Sequence, residues 1–181
     1  HIFVQSEQMK RDLASYGIAE EKMTPVPMGI ELADFPLDPP DTAEATEPAT
    51  IGYLGTLAGE RRIDFLVRAL ARVLPHVPDA KLLLVGGADR PADEAQIRAE
   101  AERLGVSDRI EITGFVPRAR ALQLIRRAAV CVSPFYPTPI LNSTSPTKLV
   151  EYMALCKPVV ANDHPEQRLV LQESRAGVCV P

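Results

Sequence analysis

Short apolar runs rich in β-branched residues alternate with amphipathic stretches along almost the whole chain. The runs are IFVQ, TPVPMG, TIGYLG, AKLLLVGG, RIEITG, AVCVSPF, KPVVAN and GVCV. From Arg61 onward, the stretches between them are RRIDFLVRALARVL, PADEAQIRAEAERLG, RARALQLIRRAA, SPTKLVEYMAL and PEQRLVLQES. Strands that are apolar throughout, separated by helices, predict a parallel sheet covered on both faces, because a sheet with one wet face would alternate. From Ala49 to the end the pattern holds six strands with five helices between them. That is the inventory of an α/β, doubly wound, Rossmann-like sheet, whose ligands bind at the carboxyl ends of its strands.

One boundary interrupts the pattern. Residues 37–48, LDPPDTAEATEP, are rich in Pro, Thr, Ala and acid, without a core periodicity, and read as a linker. Residues 1–36 carry one strand, one helix and one extended segment, too little to bury a core alone. They read as the tail of another domain, with the main domain over 49–181. The abrupt start on a strand at His1-Ile2-Phe3-Val4 agrees with a fragment of a longer protein.

Composition narrows the function classes. With 181 residues, 46% hydrophobic and 24% charged, the chain has the balance of a soluble globular domain plus part of a second. A net charge of −4 argues against a nucleic-acid binder, while permitting a local basic pocket. No run is long enough to span a bilayer and none resembles a signal peptide. Cys131, Cys156 and Cys179 lack the close pairing of a metal knuckle and, with two of them in or next to apolar runs, read as reduced buried thiols of a cytoplasmic protein.

Four strand-to-helix junctions should share one edge of the sheet. In GYLGTLAGERRID, Gly52 and Gly55 bracket a strand end, and Arg61 and Arg62 open a helix. Glycine permits close backbone approach and a guanidinium can fork onto phosphate oxygens, although a plain turn with solvated arginines has the same pattern. LLLVGGADRP offers a second glycine turn, at Gly86 and Gly87. In ITGFVPRA, the Gly114-Phe115-Val116 turn offers backbone groups to a base edge, or is simply a turn with one core aromatic. The fourth junction is SPTKLVEYMALCKPVVAND, where Ser145 suits an N-cap and Pro146 the first helical position. Lys148 would then stand beside an anion at the helix N-terminus, and Glu151, one turn on, could accept from a vicinal diol. The competing reading is an i,i+3 ion pair on a solvated face. His76 reads as a surface histidine and His164 lies near the edge of the proposed crevice.

The ordered set FVQSEQMKRDL, VPMGIEL, GYLGTLAGERRID, LLLVGG, ITGFVP, VCVSPF and SPTKLVEYMALCKPVVAND resembles the nucleotide-sugar glycosyltransferases of the GT-B fold. It is most similar to the retaining family 4 and, within it, to the bacterial surface-polysaccharide subset with an S-P-x-K-x-x-E pattern. The resemblance implies two Rossmann-like domains across a cleft, with residues 1–36 closing the acceptor domain and 49–181 forming most of the donor domain. The family's closing helices would lie beyond Pro181. Position by position, the resemblance puts Arg61 on the donor diphosphate, Glu151 on the ribose, Lys148 in the subset's pattern and the Gly114–Val116 turn on the base. Gly55, Thr56, Ser143 and Ser145 complete the implied donor site. Three positions depart from the family. Thr56 stands in place of a common arginine, Ser143 in place of a glutamate eight residues before the ribose carboxylate, and Cys156 in place of a glycine after the helix.

The implied activity is retaining transfer of a sugar from a nucleoside-diphosphate sugar to an acceptor glycan or glycolipid, in bacterial polysaccharide or glycolipid biosynthesis. No metal is obligatory, in keeping with the absence of an Asp-x-Asp motif, and no catalytic nucleophile is assigned. The expected location is the cytoplasm, with peripheral association of the full-length protein at the inner face of the membrane. A non-enzymatic nucleotide-binding module and a sugar-nucleotide epimerase of the same fold are the rival readings.

Overall fold

The computed structural model describes residues 1–35 and 46–181. Its main body is a parallel sheet of six strands, β3 (Thr50–Leu54), β4 (Lys81–Val85), β5 (Ile110–Ile112), β6 (Val130–Ser133), β7 (Val159–Asn162) and β8 (Gly177–Val180). They lie in the order β5-β4-β3-β6-β7-β8. The chain starts in the middle, steps outward twice, and then crosses back to build the other half. This is the doubly wound order, with its reversal between β3 and β6.

Both faces are covered, as continuous apolar strands require. Along β4, Leu82 and Leu84 join a core with α2 (Asp64–Val73) and α3 (Pro91–Leu104). Leu83 and Val85 point the other way, into a core with α4 (Arg118–Ile125), α6 (Thr147–Ala154) and α7 (Pro165–Ser174). The helix limits follow local chemistry. Pro91 sits at the start of α3, Gly105 ends it at φ 67°, and the exposed Glu94–Arg98 pair spans one turn at 2.7 Å. α6 ends on Cys156 at φ 55°, with Lys157 N–H reaching Tyr152 C=O in a Schellman arrangement. The position after the helix, where the family has glycine, is left-handed and is occupied by a residue with a Cβ.

Residues 1–35 add a small layer of their own. β1 (Ile2–Val4) pairs in parallel with β2 (Met23–Pro25), linked by α1 (Glu7–Ser15), so the extended segment is a strand. Ser6 caps α1 through Met9 N–H and donates its hydroxyl to Ser143 C=O at 2.7 Å. Phe35 is buried in the α4–α6 core. Most of the expected 37–48 linker lies outside the described residues. Of its end, Glu47 pairs with Arg127 at 2.8 Å.

Two expectations need correction here. The helix expected from Arg61 begins at Asp64, because Gly59–Arg61 forms a single 3-10 turn and Arg62 turns left-handed at φ 52°. Of the three free thiols only Cys131 is buried; Cys156 is exposed because it follows the helix end. A short helix α5 (Pro139–Asn142), capped by Thr138, also precedes α6.

Candidate functional site

The β3–β6 ladder pairs Ile51 with Val130 and Gly52 with Cys131. Beyond it, Tyr152 of α6 bridges the two strands. Its hydroxyl accepts from Leu54 N–H at 2.8 Å and donates to Val132 C=O at 3.3 Å. The strands diverge at the carboxyl edge, and a fully buried side chain from α6 satisfies the backbone that they leave unpaired.

Around this opening several sequence-predicted residues converge. Gly55 leaves β3 at φ 147°, and Gly86 leaves β4 at φ 150° directly against it. A Cβ on Gly86 would lie 2.0 Å from Gly55 O, so no side chain fits. A Cβ on Gly55 would meet the Tyr53 hydroxyl at 3.0 Å and Lys148 Nζ at 3.5 Å. The Lys148 ammonium thus lies beside the Gly55 backbone, 3.4 Å from the Tyr53 hydroxyl. It sits 4.6 Å from the centroid of the Tyr53 ring and 5.2 Å from that of Phe135. Thr56 C=O accepts from the same hydroxyl at 3.2 Å.

The electrostatics of this group are unusual. Among the described residues no carboxylate pairs with Lys148 or Arg61, although most arginines of the chain have one. Burial pulls Lys148 down to about 7, helped by the positive charge of Arg61 and opposed by Glu151. Burial pushes Tyr53 up to about 12, against the charge and hydrogen bond of Arg61. Arg62, by contrast, is engaged, at 3.6 Å from Asp64 and over the Tyr136 ring at 5.4 Å. A hollow of about 190 Å³, lined by Arg61, Phe65, Phe135, Tyr136 and Asn162 among others, adjoins the cations. A larger hollow of about 490 Å³ lies between α2 and α3, but Arg68 and Arg103 there already pair with Glu100.

The Gly114–Val116 turn follows β5. Gly114 adopts φ 68°, Val116 packs on the core and Phe115 is 65% exposed, over the Gly87 backbone. Glu151 is 6% exposed and does not pair with Lys148. Its carboxylate accepts from Arg118 Nη1 at 2.5 Å. The i,i+3 ion pair on a solvated face is therefore not what forms.

Ser145 and Ser143 fall outside this group. The N-cap of α6 is Pro146 and makes no side-chain capping bond, so the assignment of Ser145 as N-cap is overturned. Its hydroxyl instead accepts from Met28 N–H at 3.0 Å, because residues 1–35 pack on this loop. The Ser143 hydroxyl lies within hydrogen-bond reach of the Asp12 carboxylate of α1 and of Pro139 C=O, and its single proton is shared between these two acceptors. His164 is buried and structural. It caps α7 through Gln167 N–H and places Nε2 2.9 Å from Leu141 C=O; burial holds it below the ordinary histidine value, opposed by that carbonyl. His76 is exposed, as expected.

Sequence reasoning missed Tyr53, Tyr152, Phe135 and Arg118. Nothing in the spacing of the first three shows that Tyr53 and Phe135 flank Lys148, or that the Tyr152 hydroxyl bridges β3 and β6. Arg118 follows Pro117 as an ordinary first-turn residue.

The sequence profile described as glycosyl transferases group 1 matches residues 48–181. The chain belongs to this family. A phosphatidyl-myo-inositol mannosyltransferase of Mycolicibacterium smegmatis is 31% identical over 158 residues, covering 86% of this chain and 38% of that protein. A D-inositol 3-phosphate glycosyltransferase of Segniliparus rotundus is 29% identical over 154 residues, 81% of this chain and 33% of that protein. The chain thus spans about a third of the length of these relatives. The fold of HepE from Anabaena, solved with UDP and glucose, matches with a TM-score of 0.74 at 19% identity. That match covers 93% of this chain and 46% of HepE. Sucrose-phosphate synthase of Thermosynechococcus elongatus matches with a TM-score of 0.72 at 26% identity, over 99% of this chain and 44% of that one. Among the described residues no helix is long and apolar enough to cross a membrane.

Proposed function

We propose that this chain is the donor-binding part of a retaining glycosyltransferase and takes a nucleoside-diphosphate sugar at the carboxyl ends of β3 to β6. The observation that carries the proposal is the pair of cations, Arg61 and Lys148, without carboxylate partners among the described residues, at a glycine-lined strand end. Two positive groups in a sheltered site are stabilised by an anion of matching charge, and a diphosphate is such an anion. The Gly114–Val116 turn would take the base and Glu151 the ribose, with Gly55 and Thr56 lining the phosphates. The glycosyltransferase family and the neighbour solved with UDP support a nucleotide-sugar donor as the ligand of this edge.

In this reading Arg61 and Lys148 neutralise the charge that develops on the leaving diphosphate, which is the task a divalent cation performs elsewhere. No obligatory metal is needed. The acceptor, a glycan or glycolipid at the inner membrane face, would be presented by the partner domain of the full-length protein. Ser143 and Ser145 serve in this account as the seat for residues 1–35 rather than as donor ligands.

A thermal-shift panel with UDP, GDP, ADP and dTDP tests the proposal. A ligand at about 100 times its Kd stabilises the native state by roughly 2.7 kcal/mol. At least one diphosphate should raise the Tm, equally well in EDTA. No shift with any of them removes the donor site, and a shift abolished by EDTA removes the metal-independent mode.

A further inference from the structure

The buried carboxylate of the site is held from one side only. Glu151 Oε1 accepts from Arg118 Nη1 at 2.5 Å, whereas Oε2 has no hydrogen-bond partner among the described residues. Oε2 is also absent from the sealed, unpartnered atoms, Ser133 Oγ and Gln167 Oε1, so it keeps access to solvent. Lys148, three residues earlier, does not compete for Glu151, since its ammonium is turned to Tyr53 and Phe135.

Arg118 is itself well placed to hold a fixed orientation. It is the first residue of α4, set by the Gly114–Pro117 turn that precedes it. Its Nε lies 3.5 Å from Asp34 Oδ2, and its guanidinium carbon is 5.7 Å from the Phe35 ring centroid. Arg118 thus ties the end of residues 1–35, the turn after β5 and α6 together at one point.

Stability alone is a poor account of this pair. Taking a carboxylate out of water costs several kcal/mol, and one contact with an arginine whose side chain is 52% exposed recovers little of it. The arrangement makes sense if the second oxygen has a further donor to meet. A charge-assisted bond fixes the plane of a carboxylate, so clamping Oε1 aims Oε2.

We propose that Arg118 is a positioning residue that clamps Glu151 Oε1 and so aims Oε2 at the vicinal diol of the bound ribose. Discrimination between ribose and 2′-deoxyribose then depends on Arg118, which acts through Glu151 without touching the ligand. This inference rests on the donor-site reading above and assigns Arg118 a role in its specificity.

The test is titration calorimetry with UDP and 2′-deoxy-UDP, and with GDP and 2′-deoxy-GDP. It uses the wild type, Arg118→Ala, Arg118→Lys, Glu151→Gln and the Arg118→Ala/Glu151→Gln double variant, with thermal denaturation alongside. The expected result is a loss of roughly tenfold in ribonucleotide affinity for Arg118→Ala, with about twofold or less for the deoxynucleotide. Arg118→Lys, which keeps a charged donor, should restore part of the discrimination even where the alanine variant folds poorly. In the Glu151→Gln background, Arg118→Ala should add almost nothing, because the two act as one unit. Equal losses for ribo- and deoxyribonucleotides, or losses that add in the double variant, overturn the clamp while leaving the donor site standing. Wild-type binding without a ribose preference overturns the ribose role of Glu151 and the clamp together. A wild type that binds neither these four nor ADP or dTDP overturns the donor-site reading as well.

Discussion

At the scale of single residues, the proposed chemistry rests on charge in shelter. Arg61 has no carboxylate to answer to among the described residues, while its neighbour Arg62 is held by Asp64. Arg61→Ala should therefore weaken a nucleoside diphosphate more than the nucleoside, by about 1–3 kcal/mol, and added salt should shrink the difference. Equal losses for the two ligands in a calorimetric titration would take Arg61 off the phosphates. Lys148 gives a pH signature. With its folded value near 7 and its unfolded value at 10.5, the unfolded state binds more protons between those limits. Stability of the ligand-free chain should then rise with pH across that window, the burial penalty being present in full below about pH 7, and Lys148→Met should flatten the rise. Binding a diphosphate favours the ammonium, so at pH 8 calorimetry in buffers of different ionisation enthalpy should show proton uptake. Proton release, or none, would place Lys148 away from the ligand. That Lys148 and Glu151 share a helix was legible in their spacing. That one turns to Tyr53 and the other to Arg118 was not, because neither partner is near in sequence.

At the scale of elements, α6 is fastened to the sheet where the sheet opens. Tyr152→Phe removes the hydroxyl that bridges Leu54 N–H and Val132 C=O, and should cost about 1–3 kcal/mol in chemical denaturation. It should also weaken diphosphate binding, since the same helix carries Lys148 and Glu151. Unchanged stability would mean that water replaces the bridge. The end of α6 carries strain of a simpler kind. Cys156 at φ 55° occupies a conformation that favours glycine, so Cys156→Gly should stabilise the chain by about 0.5–1 kcal/mol after the added freedom of the unfolded chain is counted. A lower denaturation midpoint would show that the thiol makes a compensating contact. The caps of α3 were readable because Pro91 and Gly105 act locally. The start of α6 was misread at Ser145 because a distant backbone group, Met28 N–H, takes its hydroxyl.

At the scale of the whole molecule, the chain offers one wall of the proposed donor crevice and the seat of a second layer. Its 181 residues should bind a nucleoside diphosphate yet transfer no sugar alone, because orientation by an acceptor-bearing wall supplies much of the rate. Robust transfer by the purified chain would overturn the division of labour proposed here. Residues 1–35 are joined to the main body through Ser6 and Asp12 at Ser143, Met28 at Ser145 and Asp34 at Arg118. The sequence by itself determined the doubly wound sheet, both of its covered faces and the edge where a ligand would bind. Those follow from hydrophobic period and from glycine and proline punctuation, which act over a few residues at a time. Tertiary structure alone decided that Tyr53 and Phe135 enclose the Lys148 ammonium, that Arg118 takes Glu151, and that Ser143 and Ser145 face residues 1–35. Each of these joins groups far apart in the chain, and the direction of a side chain in a junction is set by packing rather than by its neighbours in sequence.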